Sequence, residues 1–158
     1  MNRTINIVLL IFFSFLACTI WAQKEKNDDK AKTPKYPPVY SYLGKSDLKG
    51  GSIKKRALDS LLKQGISAKD ESGHAYTISE FNFTYGERNL YEDSVGNLKI
   101  ITDYLLEKCF GDSLSAYILN SMADRSKEGD TVYFDKIIVV RPDNTTTLSK
   151  AMKFAIIK

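Results

Sequence analysis

The chain has 158 residues, and 23 lysines and arginines against 19 aspartates and glutamates give it a formal net charge of +4. Its 43% hydrophobic and 27% charged residues are typical of one globular domain rather than of a disordered or fibrous chain. From Tyr40 onward 17 basic residues stand against 16 acidic ones, so the part expected to fold is nearly neutral. A nucleic-acid-binding protein concentrates positive charge on its folded surface, and we therefore expect no nucleic-acid partner.

The first 22 residues predict an export signal. Arg3 is their only charged residue, residues 5–20 form an apolar run, and Ala22 is a small residue at the end of that run. We expect cleavage between Ala22 and Gln23, a periplasmic or secreted protein, and no transmembrane helix in the mature chain. The alternative is a lipid-tethered scaffold anchored through Cys18, which the apolar residues that follow this cysteine disfavour.

Residues 23–38 predict a flexible charged linker. This segment contains no aliphatic residue other than Ala31 and ends on Pro37 and Pro38, so it cannot bury enough apolar surface to offset the entropy lost on ordering. The folded domain is expected at residues 39–158.

Within that domain, apolar residues recur every second position in most segments and at helical spacing in two. The first half predicts an edge strand at 39–43, a helix capped by Ser52 and stopped by Gly65, and a strand at 75–85 that is bulged at Ser79–Glu80. A turn at Gly86 is then followed by strands at 89–94 and 98–102 with a turn at 95–97 between them, and by an ambiguous segment at 103–110. The second half predicts a helix capped by Ser113 and ending near 125–127, an interior strand at 131–140, a turn at 141–144 and a last strand at 148–157.

These elements predict a β-rich α+β fold. We expect a mostly antiparallel sheet or a sandwich-like domain that carries two short amphipathic helices.

The residues that could carry chemistry are few. His74 is the only histidine, and Cys109 is the only cysteine after the predicted signal. No metal-ligand spacing exists, so we expect no metal and no cofactor, and no catalytic residues. The alternative is a small secreted thiol enzyme that uses Cys109 as nucleophile and His74 as base, and the apolar neighbourhood of Cys109 disfavours it.

The ordered set of six fragments resembles the C-terminal domain of GldM, a bacterial periplasmic protein of gliding motility and type IX secretion. The fragments are GGSI at 50–53, GISA at 65–68, ISEFNF at 78–83, SVGN at 94–97, GDTVYFDKI at 129–137 and RPD at 141–143. The similarity covers roughly residues 43–157. It implies a β-rich module, here as a stand-alone exported domain, that contacts other envelope proteins and has no enzymatic activity.

Recognition residues usually lie on loops that a rigid sheet holds in place. The sequence therefore predicts partner contacts at three turns, with the sheet edge at Tyr40 and Tyr42 as the next candidate. The candidate turn residues are Gly86, Gly96, Asn97, Pro142, Asp143 and Asn144.

Overall fold

The computed structural model describes residues 36–158. The predicted signal, the cleavage position between Ala22 and Gln23, Cys18 and nearly all of the predicted linker lie outside the described residues. The elements are β1 (Val39–Leu43), β2 (Gly51–Lys54), α1 (Lys55–Leu62), β3 (Ile66–Asp70), β4 (Ala75–Glu92), β5 (Leu98–Phe110), α2 (Ala116–Arg125), β6 (Thr131–Val140), β7 (Thr146–Leu148) and β8 (Met152–Ile157).

The strands form one curled, mixed sheet that resembles half a barrel. Its strand order is β1-β3-β4-β6-β8-β2, with β5 paired to β4 and β7 paired to β6. All these pairs are antiparallel except β2 with β8, which is parallel. The prediction of a β-rich α+β domain with two short helices is confirmed. The prediction of a mostly antiparallel, sandwich-like domain is confirmed only in part, because the sheet is mixed and curls on itself.

The core lies on the inner side of this curl. The ring of Phe134 on β6 has its centroid 6.0, 5.3 and 6.3 Å from those of Phe81, Phe83 and Phe154. The buried residues of the two helices that belong to this core are Leu58 and Leu62 of α1 and Ile118 and Met122 of α2.

Lys55 joins the two helices at their ends. Its ammonium group donates hydrogen bonds to the backbone oxygens of Met122 and Ala123 and to the hydroxyl of Ser126, at 3.2, 3.1 and 2.8 Å. The ammonium group lies at the carbonyl end of α2, where the helix dipole favours a positive charge.

Both helices begin later than the sequence predicts. Ser52 does not cap α1, because residues 51–54 pair with β8 and the helix starts only at Lys55. Ser115, not Ser113, caps α2 by accepting a hydrogen bond from the N–H of Ile118 at 3.2 Å. Ser113 instead donates its hydroxyl to Asp112.

The predicted bulge at Ser79–Glu80 is confirmed, since the register of β4 against β6 shifts between Ile78 and Glu80. The predicted turn at Gly86 is wrong. Gly86 lies inside β4, opposite Tyr104 on β5 and Thr131 on β6.

A side chain at Gly86 would crowd its neighbours, because a Cβ atom there would lie 2.9 Å from the Thr131 hydroxyl and 3.2 Å from the Tyr104 ring. The glycine therefore permits a close approach of neighbouring strands rather than a turn. Because the chain does not turn at Gly86, the strand predicted at 89–94 is the continuation of β4, which ends at Glu92. The ambiguous segment 103–110 belongs to β5.

The predicted last strand is two strands. The N–H of Ser149 still donates to the carbonyl of Ile137 on β6 at 2.8 Å, but the N–H of Lys150 donates to the carbonyl of Val39 on β1 at 3.1 Å. The hydroxyl of Ser149 bonds Ser41 at 2.7 Å and the Val39 carbonyl at 3.1 Å. These bonds bring β1 to the β7–β8 junction and help to close the curl.

Candidate interaction surface

The hairpin of β4 and β5 extends beyond the sheet, and we call residues 87–103 the hairpin arm. The pairing of β4 with β6 ends at Gly86, whereas its pairing with β5 continues to Glu92 opposite Leu98. Beyond residue 86 the two strands of the arm therefore pair only with each other among the described residues.

The turn at the tip of the arm is built around Asp93. Its carboxylate accepts hydrogen bonds from the N–H groups of Val95 and Asn97, and it lies 3.1 Å from the ammonium of Lys99. Gly96 has a φ of 86°, which favours glycine. Hydrogen bonds from Asn97 and Lys99 lower the pKa of Asp93 below its usual value, although partial burial opposes them. The predicted turn at 95–97 is confirmed.

Buried polar contacts fix the base of the arm. The carboxylate of Asp130, which is fully buried, accepts hydrogen bonds from the hydroxyl of Tyr85 at 2.7 Å and from the N–H groups of Arg88 and Lys127 at 2.8 and 2.9 Å. Burial and the bond to Asp130 raise the pKa of Tyr85 above its usual range. Glu87 forms ion pairs with Arg125 and Lys127. The arm is therefore held firmly where it leaves the sheet.

One face of β5 is apolar and open to solvent. Its side chains are 61–73% exposed, although residues of these types are usually buried. Leu90 of β4 lies opposite Ile100 on the same face and is 68% exposed. We call this surface the apolar face; its β5 residues are Leu98, Ile100, Tyr104, Leu106 and Phe110. Thr102 and Lys108 interrupt these residues on the same face, and the Lys108 ammonium lies 5.3 Å from the Phe110 ring centroid. Exposed apolar side chains grouped in this way mark contact sites.

The outer edge of β5 is also unprotected. Among residues 36–158, β5 pairs only with β4, and its 13 residues contain no proline and no glycine. Edge strands are commonly guarded by lysines that point into solvent. Here Lys99 and Lys108 form ion pairs with Asp93 and Glu80 of the neighbouring strand at 3.1 and 2.9 Å.

The predicted contact turns do not form one surface. Gly96 and Asn97 lie at the tip of the arm, whereas Pro142, Asp143 and Asn144 form the turn between β6 and β7. Because β6 runs antiparallel to β4, with Val140 opposite Thr77 and Thr131 opposite Gly86, these two turns lie toward opposite ends of β4.

The late turn itself is confirmed, with Asn144 at a φ of 62° and its N–H bonded to the Arg141 carbonyl at 2.9 Å. Asp143 accepts the N–H and hydroxyl of Thr145 at 3.0 and 2.6 Å. A role for these residues in binding stays a prediction.

Tyr40 and Tyr42 line a shallow cleft of about 520 Å³. The ammonium of Lys49 lies 4.4 Å from the Tyr40 ring centroid and 5.0 Å from that of Tyr42, and the Tyr40 hydroxyl donates to Glu71 at 3.1 Å. Both tyrosine rings are therefore already in contact with Lys49, and the Tyr40 hydroxyl with Glu71, which makes this edge a weaker candidate for a contact surface.

The two residues of the thiol-enzyme alternative are engaged elsewhere. Burial, with the nearby Glu107 carboxylate, raises the pKa of Cys109 to about 11, so the thiol is protonated at neutral pH. The imidazole Nδ1 of His74 lies 3.2 Å from the buried carboxylate of Asp70. In the part of the chain that the structure describes, no group of three or more histidine, cysteine, aspartate or glutamate side chains could hold a metal ion.

No protein-family model matches this chain, and no curated protein matches it. The likeness to the GldM C-terminal domain therefore stays a prediction. Within residues 36–158, no helix is long and apolar enough to span a membrane.

Sequence reasoning missed the apolar face. The alternation of Leu98, Ile100, Tyr104 and Leu106 was a usable signal, but it predicts a strand with one apolar side and does not say whether that side is covered.

Proposed function

We propose that this protein is an exported, non-enzymatic interaction module, and that it binds an envelope protein through the apolar face. The observation that supports this most strongly is the row of five apolar β5 side chains that are each more than 60% exposed on a firmly held hairpin. A monomeric soluble protein rarely leaves such a row uncovered, and a rigid scaffold lowers the entropic cost of binding.

We further propose that the module serves an envelope machine, as an adaptor of gliding motility or type IX secretion. This step rests on the resemblance of the ordered fragments at residues 43–157 to the GldM C-terminal domain. The predicted signal supports the compartment, and the mass of the mature N-terminus tests it. A mass that begins at Gln23 agrees with cleavage, whereas an acylated Cys18 would make the protein a lipid-tethered scaffold.

The test is a crosslinking pull-down from envelope extracts of the native organism, with the full chain exported by its own signal and tagged at the C-terminus. Three baits are compared: the natural chain, a Leu90→Lys/Phe110→Lys variant of the apolar face, and a Tyr117→Lys control. Tyr117 on α2 is 62% exposed, close to the exposure of Leu90 and Phe110, so it controls for placing a lysine at an exposed apolar position away from the apolar face.

We expect the natural chain and the Tyr117→Lys control to enrich the same envelope protein, and the double variant to lose it. Burying a lysine charge in an apolar contact costs several kcal/mol, which is enough to remove a specific partner. Equal capture by all three baits would show that the apolar face is not the contact surface, and capture of nothing by any bait would contradict the adaptor role.

The thiol-enzyme alternative has its own test. A mild alkylating agent applied near neutral pH should label Cys109 only after denaturation, because the thiol is buried and its pKa is raised. Fast labelling of Cys109 in the native protein would support the thiol-enzyme alternative.

A further inference from the structure

We propose that the free edge of β5 pairs with the β5 edge of a second copy of this chain, in antiparallel orientation, with Ile101 opposite its own counterpart. The inference rests on the proposed function only in using the same hairpin, and it concerns the edge of the strand rather than the apolar face. It starts from the 13-residue edge, whose outward N–H and C=O groups have no strand partner among residues 36–158. Such an edge is a template for another strand.

Two copies of one strand that pair antiparallel are related by a two-fold axis. If a first residue of one copy lies opposite a second residue of the other copy, the reverse pair is also present. In the proposed register Ile101 lies on the two-fold axis. Leu98 is then opposite Tyr104 of the second copy, and Ile100 is opposite Thr102. These pairs join apolar and β-branched side chains, which stabilise sheets when they lie directly across from each other.

Charge complementarity selects this register. With Ile101 on the axis, Lys99 of each copy lies directly opposite Asp103 of the other, which gives two ion pairs of opposite sign. A shift of the axis to Asp103 would place Lys99 opposite Glu107 but would also place two aspartates face to face on the axis, and like charges directly opposite each other destabilise a sheet. A shift to Tyr104 would place Lys99 opposite Cys109, which carries no opposite charge.

The arm also gives the second copy room. The paired stretch, residues 98–104, lies almost wholly within the hairpin arm, where both faces of the two strands are open: Ile100 and Ile101 point to opposite faces and are 61% and 43% exposed. The second copy would extend the sheet through the arms and place the two apolar faces side by side. The proposed partner-binding surface would then be doubled.

The experiment measures the mass of the exported full chain by sedimentation or light scattering as its concentration rises. A contact this small is expected to be weak, so the chain should be mostly monomeric below about 1 µM and mostly dimeric above about 100 µM. A chain that stays monomeric at that concentration would overturn the pairing.

A charge exchange tests the register. Lys99→Glu alone places acidic residues opposite each other, and Asp103→Lys alone places lysines opposite each other, so each variant should lower the association constant at least about tenfold. An equimolar mixture of the two variants restores both ion pairs across the axis and should form heterodimers. Dimers that survive either single change, or a mixture that stays monomeric, would contradict the proposed register.

A cysteine scan checks the axis without changing charge. In a Cys109→Ser background, Ile101→Cys should form a disulfide-linked dimer under mild oxidation, because the two Cβ atoms lie about 5 Å apart in a directly opposed pair. Leu106→Cys is the control: it is more exposed than Ile101 on the same strand, at 64% against 43%, but lies far from its counterpart in this register. Crosslinking at residue 106 and not at residue 101 would overturn the proposal.

The two proposals fail separately. The face variants Leu90→Lys and Phe110→Lys lie outside the paired stretch 98–104, and Ile101 points away from the face that they alter. A monomer that still captures its envelope partner refutes only the edge pairing, whereas a dimer that captures none refutes only the adaptor role. Thermal melts of every variant confirm that each is folded.

Discussion

The same two strands, β4 and β5, behave differently in the two halves of their hairpin. In the body of the sheet β4 is flanked by β5 and β6, and Phe81, Phe83 and Tyr85 alternate into the core with at most 1% exposure. In the arm the pairing with β6 has ended, and large side chains on both faces, such as Leu90 and Tyr91, are 68% and 52% exposed. In the body the inward-facing apolar residues form the core, whereas in the arm large apolar residues are exposed on both faces.

The largest effect should come from the body. Phe134→Ala removes a fully buried ring that meets three other aromatic rings, and we expect it to lower the free energy of unfolding by about 3–5 kcal/mol. Phe110→Ala, at a position 73% exposed on the apolar face, should change it by less than about 0.5 kcal/mol. Urea unfolding followed by circular dichroism measures both. Equal losses would mean that the apolar face belongs to the core.

The next effect should come from the base of the arm. Asp130→Ala leaves the Tyr85 hydroxyl and two backbone N–H groups without their acceptor, so we expect a loss of about 2–4 kcal/mol. The exposed Asp103 in the arm bonds only Asn89 in the structure, and Asp103→Ala should cost less than about 0.5 kcal/mol. The same unfolding assay compares them, and a mild Asp130 variant would show that the base is not held by this carboxylate.

Gly86 within β4 and Gly96 in the turn of the arm should respond differently to substitution by alanine. Gly86→Ala places a methyl group 2.9 Å from the Thr131 hydroxyl, and we expect a global loss of about 1–3 kcal/mol. In Gly96→Ala the added methyl group makes only an ordinary contact, 3.8 Å from the Glu92 carboxylate, but the φ of this residue is positive, so the cost of about 1 kcal/mol should be confined to the arm. Hydrogen exchange separates the two outcomes. Faster exchange throughout β6 in the Gly96 variant would contradict the division into body and arm.

The smallest effect should be the dependence on pH. Burial alone would raise the pKa of Asp70, but hydrogen bonds from the His74 N–H, the Tyr76 hydroxyl and the Ser72 N–H lower it below its usual value. A carboxyl with a lower pKa in the folded state stabilises that state fully above its unfolded pKa, and this contribution is lost as the pH falls through the folded pKa.

The free energy of unfolding should therefore decrease as the pH falls from about 5 to about 2, and Asp70→Asn should flatten this decrease. Asp93, whose pKa is also lowered, lies in the arm, so Asp93→Asn should affect exchange at the arm tip and leave the global dependence on pH in place. A global dependence that both variants alter equally would mean that arm and body unfold together.

The elements that the sequence predicts best are those that local patterns determine. The slip in apolar alternation at Ser79–Glu80 predicts the bulge, and the same bulge breaks the register of β4 against β6. Gly65, with a φ of 75°, follows α1 as predicted. The predicted start of α1 was wrong by two residues, because residues 51–54 pair with a strand at the far end of the chain, which no local pattern reveals.

The site is harder to predict than the fold, because exposure depends on which strands lie alongside. Ile100–Ile101 in β5 and Ile137–Ile138 in β6 are the same dipeptide in a strand. The first is exposed on both faces, whereas in the second Ile137 is fully buried. The difference is that β6 lies between β4 and β7 near this dipeptide, while β5 is at an edge. The turn predicted at Gly86 was wrong because a glycine that permits close approach of strands cannot be distinguished in sequence from a turn glycine.

The pairing of β2 with β8 has a consequence for the order of folding. Gly51 pairs with Phe154 and Lys54 with Ile157, so an early segment of the chain finds its partner only in the last strand described. Contacts of such high sequence separation form slowly, because a long loop must close before they contribute. A chain emerging from the ribosome could not complete this core until residue 157 was free.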